Sequence, residues 1–352
     1  MRQLDYVAIV KEAWEAFAPD QPIESITDLS PMVSTNQVYK VQLYDEEPIF
    51  AKLSYFGTHV HFHEEHSIIN QLARRLPPPY ENVLARSLRK HGRVFTYRYQ
   101  DGVYDVWVVF YHAVPIEARL PRRLEESHIA RLGEEIARFH LACSQIADGL
   151  PHSSKSLRSD ILDLQRSLKT EEGKLVFAPH IDFIRYQTDL FLNQLEHIGY
   201  DQFQKIPIFA DWNIGNFSVS REGVLFSRWD YDWFRMASRV MDFYFLSRVC
   251  SDIGDRTVFS YLAHPLTEER FHLFLRHYQA IFPLSEAEIR FIPEAYRFFL
   301  LHYVVNFGRH FFHPFYATRL LQETLTQHLP NLNSEKLAEQ LLQVIKPQNR
   351  KM

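Results

Sequence analysis

The chain has 352 residues, 46% hydrophobic and 14% aromatic, with a formal net charge of -4. That length holds two domains or one two-lobed domain with a sizeable core. The mild acidity argues against a nucleic-acid or anionic-membrane surface as the main partner, and no apolar run resembles a signal peptide or reaches the length of a membrane span. Phe (28) and Tyr (18) are plentiful and Gly (11) is scarce, which favours a helix-rich body. The two cysteines, Cys143 and Cys250, fall in apolar helical patterns. They read as buried free thiols of a reducing compartment, so a cytoplasmic protein is expected.

The first element is a helix. Leu4, Val7, Ala8, Val10, Ala13, Trp14 and Phe17 fall largely on one face, and Pro19 and Pro22 end it. From residue 23 the period becomes two. Val38, Lys40 and Gln42 alternate with Tyr39, Val41 and Leu43, Asp45 to Pro48 makes a turn, and Ile49 to Leu53 is the next strand. The polar stretch from Ser30 to Asn36 is a hairpin tip, whose hydroxyls and N–H groups, those of Ser34 and Thr35 included, can bond phosphate oxygens. Lys52 lies inside an apolar strand, so it is either on the solvent face or recruited to a site.

A helix follows and ends at Pro77-Pro78-Pro79. Glu65 shares a face with Ile69, Leu72 and Leu76, whereas Glu64 shares one with Ile68, Gln71 and Arg75, so Glu65 is the buried acid. His59, His61, His63 and His66 lack zinc spacing, since Ser67 stands four residues after His63, and they read as a solvated run. Residues 83 to 112 read as three strands with turns at His91-Gly92 and Gln100-Asp101-Gly102, and Val106 to Tyr111 is central. Arg86, Arg89, Lys90, Arg93 and Arg98 cluster there and read as a solvated face.

Beyond this the chain is almost all helix. Ile129, Leu132, Gly133, Ile136, Phe139 and His140 form one stripe, and His140 reads as a packing and hydrogen-bonding residue. Residues 144 to 157 read as a loop, with helices near 159–170 and 180–199. Then come Phe209-Ala210-Asp211-Trp212-Asn213-Ile214-Gly215-Asn216-Phe217 and Phe226-Ser227-Arg228-Trp229-Asp230. Asp211 is followed by four residues and Asn216, and Asp230 stands fourteen residues further on. Apolar residues and a turn at Glu222-Gly223 make the intervening segment a hairpin, its second strand ending in Asp230. Phosphoryl transfer from a nucleotide needs such a set: one carboxylate for the attacking hydroxyl, and an amide oxygen with a second carboxylate for metal ions. Asp232 follows closely. Asp242 opens an apolar helix and reads as an N-cap that also braces the loop. Further on, Asn306, Arg309, His310 and His313 share one face of a helix expected over about 293–313.

The Asp211, Asn216, Asp230 and Asp242 series resembles the catalytic segment of the aminoglycoside phosphotransferase and choline kinase family, the small-molecule branch of the protein-kinase-like fold. That family usually writes His-Gly-Asp, four residues, Asn, then a hairpin and Ile-Asp. Phe209 and Ala210 stand in place of the His and the Gly. Ser34 to Lys40 resembles the family's phosphate-covering tip, and Phe110 to Pro115 its interlobe hinge. The resemblance spans roughly residues 23 to 250.

It implies an α+β, two-lobed protein-kinase-like fold, with a small N-lobe built on an antiparallel sheet (1–112) and a mainly helical C-lobe (113–352). It implies transfer of the γ-phosphate of ATP or GTP to a hydroxyl of a small-molecule acceptor, with neither nucleic acid nor membrane as partner. In that reading Asp211 is the general base or orienting carboxylate, and Asn216 and Asp230 hold Mg2+. Lys52 clamps phosphates and Glu65 orients Lys52. Ser34 and Thr35 cover the phosphates, and Tyr111 and Ala113 offer backbone groups to adenine. Asp232 assists a second metal or, with Asn306, Arg309 and His310, faces the acceptor. The departures at Phe209 and Ala210 motivate an alternative, a pseudokinase or nucleotide-binding interaction module on the same fold. A protein kinase fits less well, for want of a Gly-rich loop and an Asp-Phe-Gly triplet.

Overall fold

A computed structural model describes residues 4–30, 36–55, 57–252 and 260–345. Asp5 caps the first helix, α1 (Tyr6–Phe17), by accepting a hydrogen bond from the N–H of Ala8 at 3.0 Å. The helix buries Val10, Ala13 and Trp14 against one face of an antiparallel sheet. Its strands are β1 (Ile23–Asp28), β2 (Gln37–Leu43), β3 (Ile49–Ser54), β6 (Thr96–Gln100) and β7 (Asp105–His112), in the order β1-β2-β3-β7-β6. A short hairpin, β4 (Arg89–Lys90) and β5 (Arg93–Val94), stands apart from it. The turn at His91-Gly92 has both residues at positive φ, 51° and 81°, as a tight two-residue hairpin requires.

β3 runs between β2 and β7, so both of its edges are paired. Ala51 and Leu53 point into the core shared with α1. By the strand's period of two, Lys52 points to the other face, where it is 6% exposed. That face is closed by α2 (His59–Arg75), capped by Thr58, whose hydroxyl accepts from the N–H of His61. His66 was read as part of a solvated run, but it is buried, its ring beside the Tyr111 hydroxyl at 3.0 Å. Arg74 and Arg75 in the last turn complement the negative end of α2.

The remaining chain is mostly helical: α3 (Glu126–Ile146), α4 (Leu157–Ser167), α5 (Glu171–Phe177), α6 (Ile181–Ile198), α7 (Phe243–Cys250), α8 (Glu269–Ile281), α9 (Glu286–Phe299), α10 (Gly308–Phe311), α11 (Pro314–Glu323) and α12 (Ser334–Ile345). Two short ladders interrupt it, β8 (Ile206–Ile208) with β11 (Arg235–Ala237), and β9 (Phe217–Val219) with β10 (Leu225–Arg228). α3 and α8 pack closely at Gly133, where an added Cβ would come within 2.6 Å of the Phe274 carbonyl oxygen. Among the described residues no helix is long and apolar enough to cross a membrane.

The helix expected over 293–313 is broken. α9 stops at Phe299, and Leu300–Asn306 continues as a π-helix before α10. The wider turns change the angular phase, so a face drawn with the α-helical period is not formed. Asn306 is buried, whereas Arg309 and His310 are exposed. His313 lies outside the helix and caps α11.

Candidate active site

β8 delivers the chain into the Asp211 loop. Ala210 turns that loop with φ +55°, in the left-handed region where glycine is the unstrained choice. Asp242 holds the turn: its Oδ1 accepts from the N–H of Phe209 at 3.0 Å and of Ala210 at 2.6 Å. Its Oδ2 lies 2.9 Å from Nε2 of His140, whose Nδ1 lies 2.9 Å from the Tyr278 hydroxyl. Asp242, His140 and Tyr278 are fully buried, so these bonds form without competition from water. The Asp242 side chain makes no helix-cap bond, contrary to the N-cap expectation. Both of its oxygens are used by the loop and His140.

Phe209 fills the place where the resembling family has histidine. Its buried ring packs with those of Phe139, Trp212, Tyr231 and Phe234, at centroid distances of 5.5 to 6.1 Å. The guanidinium of Arg228 lies 4.6 Å from the Phe209 ring and 4.3 Å from the Trp212 ring, close enough for cation–π attraction. One Arg228 nitrogen donates to the Asp211 carbonyl at 2.8 Å. Burial pushes the Arg228 pKa down, against the nearby Asp242 and Asp211. Sequence reasoning passed over Arg228, because a single arginine in a strand carries no signal of what it stacks on.

Asp211 is half-buried. Its Oδ1 accepts from the N–H of Asn213 at 3.2 Å and its Oδ2 from Nδ2 of Asn216 at 3.0 Å. With that nitrogen committed, the Asn216 carbonyl oxygen is the atom able to meet a cation. The β9–β10 hairpin then turns at Gly223, φ +79°. β10 ends at Arg228 rather than Asp230, since Asp230 adopts φ +69° and leaves the ladder.

Lys52 comes to the same place from β3. Its Nζ lies 2.7 Å from Oδ1 of Asp230 and 2.5 Å from Oδ1 of Asp232. Oδ2 of Asp232 accepts from Nδ2 of Asn36 at 2.6 Å, a contact that joins the entrance of β2 to the segment after β10. Burial alone would lower the Lys52 pKa, but attraction to Asp230 and Asp232 outweighs it and raises it. Asp230 is held below its ordinary value because Lys52 outweighs burial. Burial and the neighbouring Asp230 charge push Asp232 up to about 6. Two carboxylates face one ammonium here, an excess of negative charge that suits a divalent cation. Among the described residues no three His, Cys, Asp or Glu side chains form a metal cluster. Mg2+ is commonly bound by one or two protein groups together with substrate phosphates, and the Asn216 and Asp230 oxygens fit that mode.

The expected Lys52–Glu65 pair is not formed. Glu65 pairs instead with Lys155, from the segment before α4, and Ser154 donates to Glu64 through N–H and hydroxyl at 3.0 and 2.7 Å. Lys52 already has two carboxylates within contact, and Glu65 has an ammonium of its own. Burial still raises the Glu65 pKa against the pull of Lys155. Residues 144 to 157 read as an ordinary polar loop, so nothing marked Lys155. Beside this pair lies the buried Arg235–Asp160 ion pair.

Tyr111 also departs from expectation. The N–H of His112 donates to the Arg86 carbonyl at 3.0 Å and that of Leu88 to the Phe110 carbonyl at 2.8 Å. The alternation of an antiparallel ladder therefore turns the backbone groups of Tyr111 towards its partner Phe50 in β3. They are used within the sheet. Ala113, exposed and past the end of β7, keeps its main chain outside that ladder. Arg309 pairs with Glu172 of α5 at 2.9 Å. Ser34 and Thr35 lie outside the described residues.

No protein-family model matches the sequence, and no curated protein sequence does. Solved structures do match. An amicoumacin kinase in complex with AMP-PNP and Ca2+ is 14% identical, with a TM-score of 0.63 over 95% of this chain and 97% of its own. A microcompartment-associated aminopropanol kinase is 16% identical, with a TM-score of 0.53 over 96% of this chain and 95% of its own. A GDP complex of aminoglycoside 2'-phosphotransferase-IIIa is also 16% identical, with a TM-score of 0.53 over 96% of this chain and 99% of its own. The antiparallel sheet, the helical body and the loop between β8 and β9 thus form the two-lobed kinase-like fold that these aminoglycoside and small-molecule kinases share.

Proposed function

We propose that this protein is a phosphotransferase that moves the γ-phosphate of ATP or GTP to a hydroxyl of a small-molecule acceptor. The observation that carries this reading is the meeting of Lys52 with Asp230 and Asp232, beside an Asp211–Asn216 pair held by Asp242. The neighbouring structures include kinases of small molecules and complexes with AMP-PNP and GDP, which supports nucleotide use. Asp211 orients the acceptor hydroxyl and takes its proton. Lys52 turns from the aspartates to the nucleotide phosphates. Asn216 and Asp230 would hold Mg2+, which when bound would supply neutralisation of phosphate charge. Asp232 keeps Lys52 aligned through its link to Asn36. Positioning and charge neutralisation do most of the work. The N-lobe in this reading is 1–112 and the C-lobe 113–352, with Ala113 at the adenine edge. Buried, unbridged Cys143 and Cys250 support a reducing compartment such as the cytoplasm.

Calorimetry with ATP and GTP, with and without Mg2+, tests the reading. The expected result is Mg2+-dependent binding, weakened roughly tenfold or more in Asp230→Ala. Asp211→Ala should keep that binding and lose phosphoryl transfer by about two orders of magnitude or more, followed as ADP release with a panel of acceptor alcohols. Binding of neither nucleotide under either condition would favour the pseudokinase suggested by Phe209 and Ala210.

A further inference from the structure

The arginines of the β4–β5 hairpin are exposed, as expected of a solvated face, but two of them also border a cleft. α2 and this hairpin line a half-open cleft of about 440 Å3, with Arg74 and Arg75 on one side and Arg89 and Arg93 on the other. No acidic side chain lines it. Among the described residues none of the four arginines makes an ion pair with a carboxylate, and the side chains of Arg74 and Arg93 make no hydrogen bond. Arg75 donates to the Gly149 carbonyl and Arg89 to the Gly92 carbonyl, so these two guanidinium groups already have one partner each. Ser67, Gln71, the buried amide of Asn70 and the ring of His63 complete the polar lining. The dipole of α2 accounts for cations at Arg74 and Arg75, but no helix end calls for Arg89 and Arg93. All four arginines are exposed, so water screens much of their mutual repulsion, and a multivalent anion in the cleft would offset what remains.

We propose that this cavity is a binding site for a small organic phosphate carrying two or more ionised phosphate groups. Guanidinium forks match phosphate oxygens two at a time, and several of them favour a multivalent anion over a single charge. The volume lies within the range of small-molecule sites, and the concave shape suits a compact ligand rather than a macromolecular surface. The site is separate from the Asp211 loop. It uses the side of α2 that carries His63 and Arg74, whereas Glu65 occupies the other side.

The test is calorimetry with inorganic pyrophosphate, and with citrate as a carboxylate comparator, at physiological ionic strength. Three proteins are compared: the wild type, Arg74→Ser/Arg93→Ser, and a charge-matched control, Arg166→Ser/Arg185→Ser, whose arginines pair with their own helix neighbours. Thermal melting without ligand checks that all three fold alike. The expected result is saturable pyrophosphate binding, weakened roughly tenfold or more in the pocket variant and unchanged in the control, with citrate weaker throughout. Absence of binding to the wild type overturns the proposal. So does equal weakening in pocket variant and control, which would mean binding elsewhere, in the Lys52 cleft for example. Citrate binding as tight as pyrophosphate overturns the assignment to phosphate.

Discussion

Asp232 is where a single side chain most changes the behaviour of the cluster. Its pKa is pushed up to about 6 by burial and by Asp230, so the folded protein binds this proton more tightly than the unfolded chain does. Its contribution to stability is therefore full in acid and is lost as pH rises from about 4, its usual value, through its folded value near 6. Asp230, held down by Lys52, works the other way: its contribution is present above the usual carboxylate value and is lost as pH falls. Asp232→Asn removes the first effect and leaves the second. The variant should gain in melting temperature relative to wild type at about pH 8 and gain less, or lose, at about pH 5. Scanning calorimetry at the two pH values checks this, and a difference independent of pH would contradict the assignment. Asp211, Asn216 and Asp230 could be picked out of the sequence because a loop and a hairpin fix their spacing. Asn36, Arg228 and Lys155 could not, because each finds its partner through packing between segments distant in the chain or by stacking on rings. Ala210 sits between the two cases. Its replacement of glycine was visible at once, but why glycine belongs there became physical only with φ at +55°.

Among the elements, the segment before α4 ties the two halves of the fold together. Lys155 pairs with Glu65, and Ser154 donates to Glu64, so two adjacent acids of α2 are held by two adjacent residues from the helical body. The side chains of Lys155 and Glu65 are 14% and 10% exposed, which makes this a largely desolvated pair. Removing one member leaves the other as an uncompensated charge. Lys155→Ala should destabilise the protein by about 3 kcal/mol in urea unfolding at about pH 8. The loss should shrink as pH falls, because burial raises the Glu65 pKa and the carboxyl, once freed of Lys155, takes up a proton more readily. A loss under about 0.5 kcal/mol would mark the pair as a surface contact. Strands and long helices were legible from period alone: β2, β3, β7, α1 and α3 lie close to where alternation or a 3.6-residue stripe puts them. α5 was missed because it is only seven residues long. The Leu300–Asn306 segment was misread because a helical wheel assumes the α period, which a π-helix does not keep.

For the whole molecule, the order of elements carried more information than any one of them. Identities of 14 to 16% leave most side chains different from those of the matched structures, yet the matches cover at least 95% of this chain. What persists at such distance is the sequence of strand, strand, strand, helix, hairpin and helices, which pattern reading can recover. The acceptor was not legible, since a small-molecule pocket is shaped by packing between elements and leaves no local pattern in the chain. Charge is also divided: carboxylates gather around Lys52, while arginines gather behind α2.

The sheet has two cores, and they belong to different neighbourhoods. Ala51, Leu53, Val108 and Phe110 pack with α1. Trp107, Val109 and Tyr111 pack with α2 in a cluster continuous with α3, Phe209 and the helical body. The smaller lobe thus borrows half of its interior from the larger one, and the chain should lose its structure as one cooperative unit. A fragment ending at His112 would bare the apolar side of α2 and the inner side of β7 to water. Such a fragment should show no cooperative melt and should bind the dye ANS, whereas the full chain should melt in a single transition that far-UV and near-UV circular dichroism report at the same temperature.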